Sequence, residues 1–375
     1  MKDLKIFLAG GGTGGATAPV LAVAEELLAA RKAIKFYLVG SNGLEKKMMD
    51  ELDLPIQYLS IPAGKWRRYF SLRNFSDVFK TFFGFLKSLS LISRYQPDVV
   101  FGAGSFVQVP LAWAAFLRRV PVVVHQQDFE LLLSTRLVAP AAHAITTSFS
   151  YSEKQIPDFS GMFKKIKKSK ITLTGNPVRS DVLDGSKAKA QKIFGLNSDY
   201  PTVLVMGGST GSRKINEVVS EAAEELVKYV QVIHINGGKG NHGEIFRHPH
   251  YHAYDFLRAE YLKHAYAVAD LVICRAGMST ITELSVLGKP AIVIPLPASP
   301  QETNAEMLAF TKSAVVVFEE FLNYELLVAL VRKVLWNREV LAAITANINN
   351  FLPKDAGGKI AKIILKTYEQ RSEKK

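Results

Sequence analysis

A single cysteine, Cys274, stands among the 375 residues. One thiol closes no intramolecular disulfide and cannot build a cysteine zinc site, so a reducing compartment is the natural reading. Long apolar runs are missing as well. No stretch reaches the roughly 18 uncharged apolar residues needed to cross a bilayer. The apolar tetrad after Met1-Lys2-Asp3-Leu4-Lys5 is too short for a signal peptide. These absences lead to the expectation of a cytoplasmic protein. Acid is scarce beside base, 34 Asp+Glu against 47 Lys+Arg, for a net charge of +13. Apolar residues are plentiful at 48%, which excludes general disorder, and the length suits two domains of about 150 to 200 residues each.

The basic excess is uneven. Residues 1–175 carry 23 Lys+Arg and 13 Asp+Glu, or +10, whereas residues 176–375 carry 24 and 21, or +3. Nucleic acid, an anionic membrane or an acidic substrate could each face such a surface, and composition alone does not choose among them.

Short apolar runs alternate with helical patterns, which predicts parallel sheets covered by helices. Strands are expected at 5–9, 35–40, 98–101, 120–125 and 144–147, with a helix over 19–30. The second half repeats the plan. Thr202 to Met206 runs into Gly207-Gly-Ser-Thr-Gly-Ser212 as Ile6 to Ala9 runs into Gly10-Gly-Gly-Thr-Gly-Gly15. Asp98-Val-Val-Phe-Gly-Ala-Gly is echoed by Asp270-Leu-Val-Ile-Cys-Arg-Ala-Gly 172 residues later, and Pro121-Val-Val-Val by Pro290-Ala-Ile-Val 169 later. Two doubly wound domains built alike follow from this. The expected division is 1–172, 173–345 and a tail, 346–375, whose helix at 358–369 returns to the first domain. The Lys-rich run at 164–170 reads as a solvated loop between domains. A cleft at the carboxyl ends of both sheets is the default ligand site.

Gly10 to Gly15 follows a strand and precedes a helix, so its backbone N–H groups can receive an anion. A nicotinamide enzyme would add an acidic residue after the second strand, and Leu38-Val-Gly-Ser41 has none. In the second glycine turn Ser209 and Thr210 can donate to a phosphate or cap the following helix. Thr280-x-x-Glu283 fits a capping box, while a carboxylate at Glu283 could equally accept from a ribose diol.

The string Gly11-Gly-Thr-Gly-Gly15, Pro19, Gly175-Asn-Pro-Val-Arg179, Gly207-Gly-Ser209, Gly211, Cys274-Arg275, Gly277, Glu283 and Asn304-Ala305 resembles the MurG family, in order and over most of the chain. The resemblance implies an α/β chain of GT-B fold, two Rossmann-like doubly wound domains facing a cleft. It implies an inverting transferase moving N-acetylglucosamine from UDP-GlcNAc to a lipid-linked muramyl-pentapeptide acceptor, with no metal and no cofactor. Carried over by position, Thr13, Gly14, Gly15, Asp128, Arg179, Ser209, Thr210, Glu283, Gln301 and Glu302 would meet UDP-GlcNAc. Arg179 and Ser209 would lie by the diphosphate, Glu283 by the ribose, and Gln301 and Glu302 by the sugar. Thr13, Gly14, His125 and Asp128 would border the acceptor, with Ser105 and Phe106 in the acceptor loop. The chain departs from the family at Ala16, where a histidine is usual, and at Asp128, Ser105, Phe106 and Glu302. His125 and Asp128 are therefore the catalytic candidates, His125 being either functional at a strand's carboxyl end or a buried histidine satisfied by backbone, and Asp128 either a base or the cap of a helix over 129–139. Two alternatives stay open: another acceptor for the same chemistry, or a UDP-sugar-binding protein without turnover.

Residues 63–95 hold seven Lys/Arg and one acid, Asp77, interleaved with Trp66, Tyr69, Phe70, Phe75, Phe79, Phe82, Phe83 and Phe85. Phe75, Phe79, Phe82, Leu86 and Leu89 recur at helical spacing, the pattern of a core face. Trp66, Tyr69, Phe70 and Phe83 exceed one stripe. Cations beside aromatics suit an anionic membrane surface, with Trp66 and Phe70 as contacts. No nucleic-acid motif accompanies them. The expected place of work is the inner face of the cell membrane, peripherally bound.

Overall fold

A computed structural model describes residues 3–11, 14–31, 33–50, 54–64, 72–150, 168–208, 211–238 and 246–373. It divides into two compact units: residues 1–179 with 353–375, and residues 180–352.

The first unit runs β1 (Leu4–Ala9), α1 (Gly14–Ala30), β2 (Ile34–Gly40), α2 (Leu44–Asp50), β3 (Ile56–Ser60), α3 (Leu72–Tyr95), β4 (Val99–Gly102), α4 (Gln108–Leu117), β5 (Val122–Gln126), α5 (Leu133–Val138), β6 (Ala144–Thr147) and β7 (Ile171–Leu173). The second runs α6 (Lys187–Phe194), β8 (Thr202–Met206), α7 (Arg213–Leu226), β9 (Gln231–Ile235), β10 (Tyr251–Tyr254), α8 (Ala259–Val268), β11 (Leu271–Cys274), α9 (Met278–Leu287), β12 (Ala291–Val293), α10 (Pro300–Phe310), β13 (Val315–Val316), α11 (Tyr324–Trp336) and α12 (Arg338–Asn349). A last helix, α13 (Ala356–Ser372), belongs to the first unit.

Both sheets are parallel. Their orders are β3-β2-β1-β4-β5-β6-β7 and β10-β9-β8-β11-β12-β13. In each the strand order reverses beside the first strand, between β1 and β4 and between β8 and β11. The loops at the carboxyl ends of those pairs are where an open α/β sheet leaves a crevice. Alternation along β1 explains the two-sided core. Leu4, Ile6 and Leu8 pack with Val20 and Leu27 of α1 and Ile360 and Ile364 of α13, while Phe7 and Ala9 face the layer that includes Leu111 of α4 and Ile92 of α3.

The duplication read in the sequence recurs in hydrogen bonds. Asp98 Oδ2 accepts from Lys5 N at 3.0 Å, and the Asp98 N–H returns a bond to Lys5 O at 2.8 Å. Asp270 Oδ2 accepts from Thr202 N at 2.8 Å, and Asp270 N donates to Thr202 O at 2.8 Å. Each aspartate thus pins the strand after it to the start of its unit's central strand.

Helix α1 begins at Gly14, five residues before the expected start, and carries Pro19 inside it. Helix α3 corrects a second expectation. Val78, Phe79, Phe82, Phe83 and Leu86 are exposed, while Ile92 is buried and Phe85 and Leu89 pack against the core. The period marks the apolar stripes but not which of them turns inward. Small residues decide that. A Cβ at Gly84 would lie 2.1 Å from Pro62 O, and Ser88 beneath it is fully buried and donates to Gly84 O at 2.7 Å.

Candidate active site

In the first unit the turn after β1 closes on the loop after β4. Gly11 has φ +138°, and a Cβ there would lie 2.8 Å from Val107 Cγ2, so only glycine keeps the approach. Gly11 N donates to Thr17 Oγ1 at 3.3 Å. Gly14 and Gly15 open α1, and Ala16 in its first turn carries no titratable group. Thr13 lies outside the described residues. The Ser105 side chain is buried with no hydrogen-bond partner for Oγ among the described residues, and Phe106 is half-buried.

His125 is the penultimate residue of β5 and is fully buried. Its Nε2 lies 2.8 Å from Asn176 Oδ1 and its Nδ1 3.0 Å from Thr146 Oγ1. Burial lowers the ring to about 4, so it is neutral near pH 7. The Asn176 carbonyl can only accept, which places a proton on Nε2, while Nδ1 lies against the Thr146 hydroxyl, which is also 3.4 Å from Val124 O. Both nitrogens are engaged inside the unit, an arrangement suited to holding a loop rather than to taking a proton from a substrate.

The residues after His125 are organised by two glutamines. Gln126 Nε2 donates to Asp128 O at 2.8 Å and Glu130 O at 2.9 Å, and Gln127 Nε2 donates to Ala103 O at 2.7 Å. Asp128 is half-buried in this bend. It does not cap a helix over 129–139, because α5 starts only at Leu133 and Leu132 is its cap residue. The Gln126 bonds hold residues 128–132 out of helical geometry. Arg179 is largely buried at the end of the first unit.

In the second unit, the N-cap of α7 is Ser212, whose Oγ accepts from Ile215 N at 3.4 Å. The capping task considered for Ser209 and Thr210 therefore falls on Ser212; those two residues lie outside the described ones. Ser212 is held in turn by Arg275, whose Nη2 donates to its Oγ at 2.6 Å. The same guanidinium donates to Pro295 O at 2.9 Å and pairs with Glu319. Asn304 of α10, fully buried, donates to Ala276 O at 3.2 Å. One arginine and one asparagine thus tie the loops after β8, β11, β12 and β13 together.

Helix α9 starts at Met278 with Gly277 as its cap residue, so Glu283 stands in the second turn and forms no capping box. The half-buried Glu283 instead receives a hydrogen bond at Oε2 from the Tyr266 hydroxyl at 2.7 Å. Gln301 and Glu302 occupy the first turn of α10, where Gln301 Oε1 accepts from Leu296 N at 3.1 Å. N-termini of α7, α9 and α10 lie at the carboxyl ends of this sheet's strands, so their N–H groups and dipoles favour an anion there.

Ser212 was legible as the last hydroxyl before an apolar helical run. Tyr266 had no local signal, because its partner is on another helix. Trp66 and Phe70 lie outside the described residues. Among the described residues no cluster of three metal-ligating side chains occurs, and no helix is long and apolar enough to cross a membrane.

Residues 6–147 match the glycosyltransferase family 28 N-terminal domain, and residues 202–356 match the glycosyltransferase family 28 C-terminal domain. A UDP-N-acetylglucosamine--N-acetylmuramyl-(pentapeptide) pyrophosphoryl-undecaprenol N-acetylglucosamine transferase of Lachnoclostridium phytofermentans is 36% identical over 96% of this chain and 98% of its own. The transferase of the same name from Clostridium perfringens is 37% identical over 90% and 92%. The crystal structure of Acinetobacter baumannii MurG superposes with a TM-score of 0.69 at 22% identity, covering 97% of this chain and 99% of that one, and shows the shared GT-B fold. With both domains matched and the relatives spanned nearly end to end, the chain belongs to glycosyltransferase family 28 and, within it, to the MurG family.

Proposed function

We propose that this chain transfers N-acetylglucosamine from UDP-GlcNAc to the muramyl C4 hydroxyl of lipid I, giving lipid II for peptidoglycan synthesis. The observation that carries the reading is the near end-to-end similarity to transferases of that name. The acceptor oxygen attacks the anomeric carbon, the bond from that carbon to the diphosphate oxygen breaks, and the configuration inverts. Charge gathers on the departing UDP, and the helix N-termini of the second unit are suited to receive it. Glu283 holds the ribose, Gln301 and Glu302 the sugar, and Arg179, Ser209 and Thr210 the diphosphate. Asp128 takes the acceptor proton, since His125 offers no open nitrogen and position 16 is alanine. Purified protein with radiolabelled UDP-GlcNAc and lipid I tests this, the expected product being the labelled disaccharide lipid. UDP-GlcNAc binding without transfer would favour a binding protein, the reading that Ala16 supports.

The exposed apolar face of α3 supports a membrane partner. Phe116 and Leu117 on α4, which packs on α3, and Leu133 and Leu137 on α5 are exposed as well. Lys80 and Lys87 are exposed on α3 among these side chains. Apolar rings flanked by cations fit an anionic lipid surface better than a phosphodiester backbone, so the proposed site of action is the inner face of the membrane and no nucleic-acid partner is proposed.

A further inference from the structure

We infer that Tyr266 is a positioning residue of the nucleotide site, one that holds the Glu283 carboxylate for the ribose and so sets discrimination between ribose and 2′-deoxyribose. The inference rests on the reading of Glu283 as the ribose-binding residue. Tyr266 projects from α8 and is fully buried, among the largest side chains so enclosed. Its hydroxyl has one proton and two acceptors in reach, Glu283 Oε2 at 2.7 Å and Met206 Sδ at 3.3 Å. The carboxylate takes it, because a thioether is a weak acceptor and a charge-assisted bond is about twice as strong as a neutral one. Burial, and then the Glu283 charge, raise the phenol well above its ordinary range, so it stays a donor at every working pH.

A buried tyrosine that spends its only proton on a half-exposed carboxylate serves that carboxylate. A free glutamate side chain samples many rotamers and pays for fixing them when it binds. Tyr266 fixes one oxygen beforehand from inside the unit. Its bond joins α8 to α9, two helices that flank β11.

Tyr266→Phe keeps the ring and removes the bond. The probes are UDP and 2′-deoxy-UDP, measured by calorimetry alongside the melting temperature. The intact protein should prefer UDP by on the order of tenfold, the size of one hydrogen bond to a charged group. In Y266F the preference should fall to within twofold, KM for UDP-GlcNAc should rise about tenfold, and kcat should change little. In a Glu283→Gln background the tyrosine substitution should add nothing further to the ratio. A Y266F protein that binds both nucleotides more weakly with their ratio intact would show a merely structural tyrosine and overturn the inference. If intact protein and E283Q show no preference for UDP, the ribose reading of Glu283 fails first and takes this inference with it. Should Y266F not fold, the phenolic proton of intact Tyr266 carries the test by NMR. Its resonance should move on binding UDP and move less on binding 2′-deoxy-UDP, and equal shifts would count against the role.

Discussion

His125 Nε2 stands 2.8 Å from Asn176 Oδ1, joining the end of β5 to the Gly175-Asn176-Pro177 turn across 51 residues of chain. Gly175 has φ +87°, and a Cβ there would lie 2.3 Å from Pro353 O, where the chain re-enters the first unit. The turn is thus fixed on one side by histidine and on the other by backbone.

A buried neutral histidine makes stability depend on pH. The folded value of His125 is about 4 against 6.5 for the free ring, and His234 of β9, buried between Asn216 and Tyr251, is likewise lowered to about 4. Burial is the leading cause for both. Between those values the unfolded chain binds more protons than the folded one, so the contribution is complete above pH 6.5 and is lost as pH falls toward 4. At pH 5 each histidine should cost its own unit roughly 2 kcal/mol relative to pH 7.5. Urea unfolding at the two pH values checks this, and His234→Gln should flatten the dependence of the second unit alone. The same lowered value removes His125 from the pH–rate profile between pH 5 and 8. Asn176→Ala should cost the first unit about 1 kcal/mol, because the buried ring N–H loses its nearer acceptor and keeps only the Ser148 hydroxyl at 3.4 Å.

Asp128→Asn should lower turnover well over tenfold while UDP affinity changes little, because the carboxylate is assigned to the acceptor proton and the diphosphate and ribose are assigned to other residues. Steady-state kinetics on lipid I decide the matter, and a variant with unimpaired kcat would remove Asp128 from the mechanism.

Gly208 and Gly211, two of the three glycines of the donor turn, should respond differently. Gly208 has φ +83°, and among the described residues nothing lies within 4 Å of a Cβ added there, so Gly208→Ala should cost the left-handed strain, about 1–2 kcal/mol. Gly211 has φ +66°, and a Cβ there would lie 2.4 Å from Asn236 O, the carbonyl that Asn216 Nδ2 already holds at 2.9 Å. Gly211→Ala must displace that backbone, and should cost more than 2 kcal/mol and weaken UDP binding at least tenfold. Thermal melting and UDP titration of the two alanine variants separate the cases.

The central strands were legible because each is a buried apolar run, and the duplication because Asp98 and Asp270 recur before equivalent strands. Positions of glycines in the turns were legible for the same reason: local backbone geometry needs them. What was not legible depends on contacts between distant segments. Glu283 matched a capping box three residues after Thr280, but the helix starts earlier, and its carboxylate is engaged by Tyr266 on another helix. Gln126 and Gln127 stood in plain view, yet their roles exist only once the 128–132 bend and the β4 loop lie beside them. In α3 the aromatic period was clear, while its outward sense was set by Gly84, whose missing side chain admits Pro62 O, and by Ser88, small enough to be fully buried beneath it.

That outward face makes the last prediction. Phe79, Phe82 and Phe83 are each more than half exposed, and each ring taken fully out of water is worth about 1.5–3 kcal/mol. Two of them partly inserted among headgroups should therefore account for a tenfold to hundredfold change in lipid binding. Phe82→Ser with Phe83→Ser should weaken sedimentation with vesicles rich in anionic lipid by at least tenfold. The pair should leave the melting temperature nearly unchanged, because neither ring enters the core. Added salt should weaken binding of the parent protein further, since Lys80 and Lys87 act through a screened charge; Lys80 already pairs with Asp77 at 2.9 Å, so Lys87→Ala should reduce the salt response more than Lys80→Ala. Binding to vesicles that ignores both the double serine variant and the salt would place the membrane contact elsewhere on the chain.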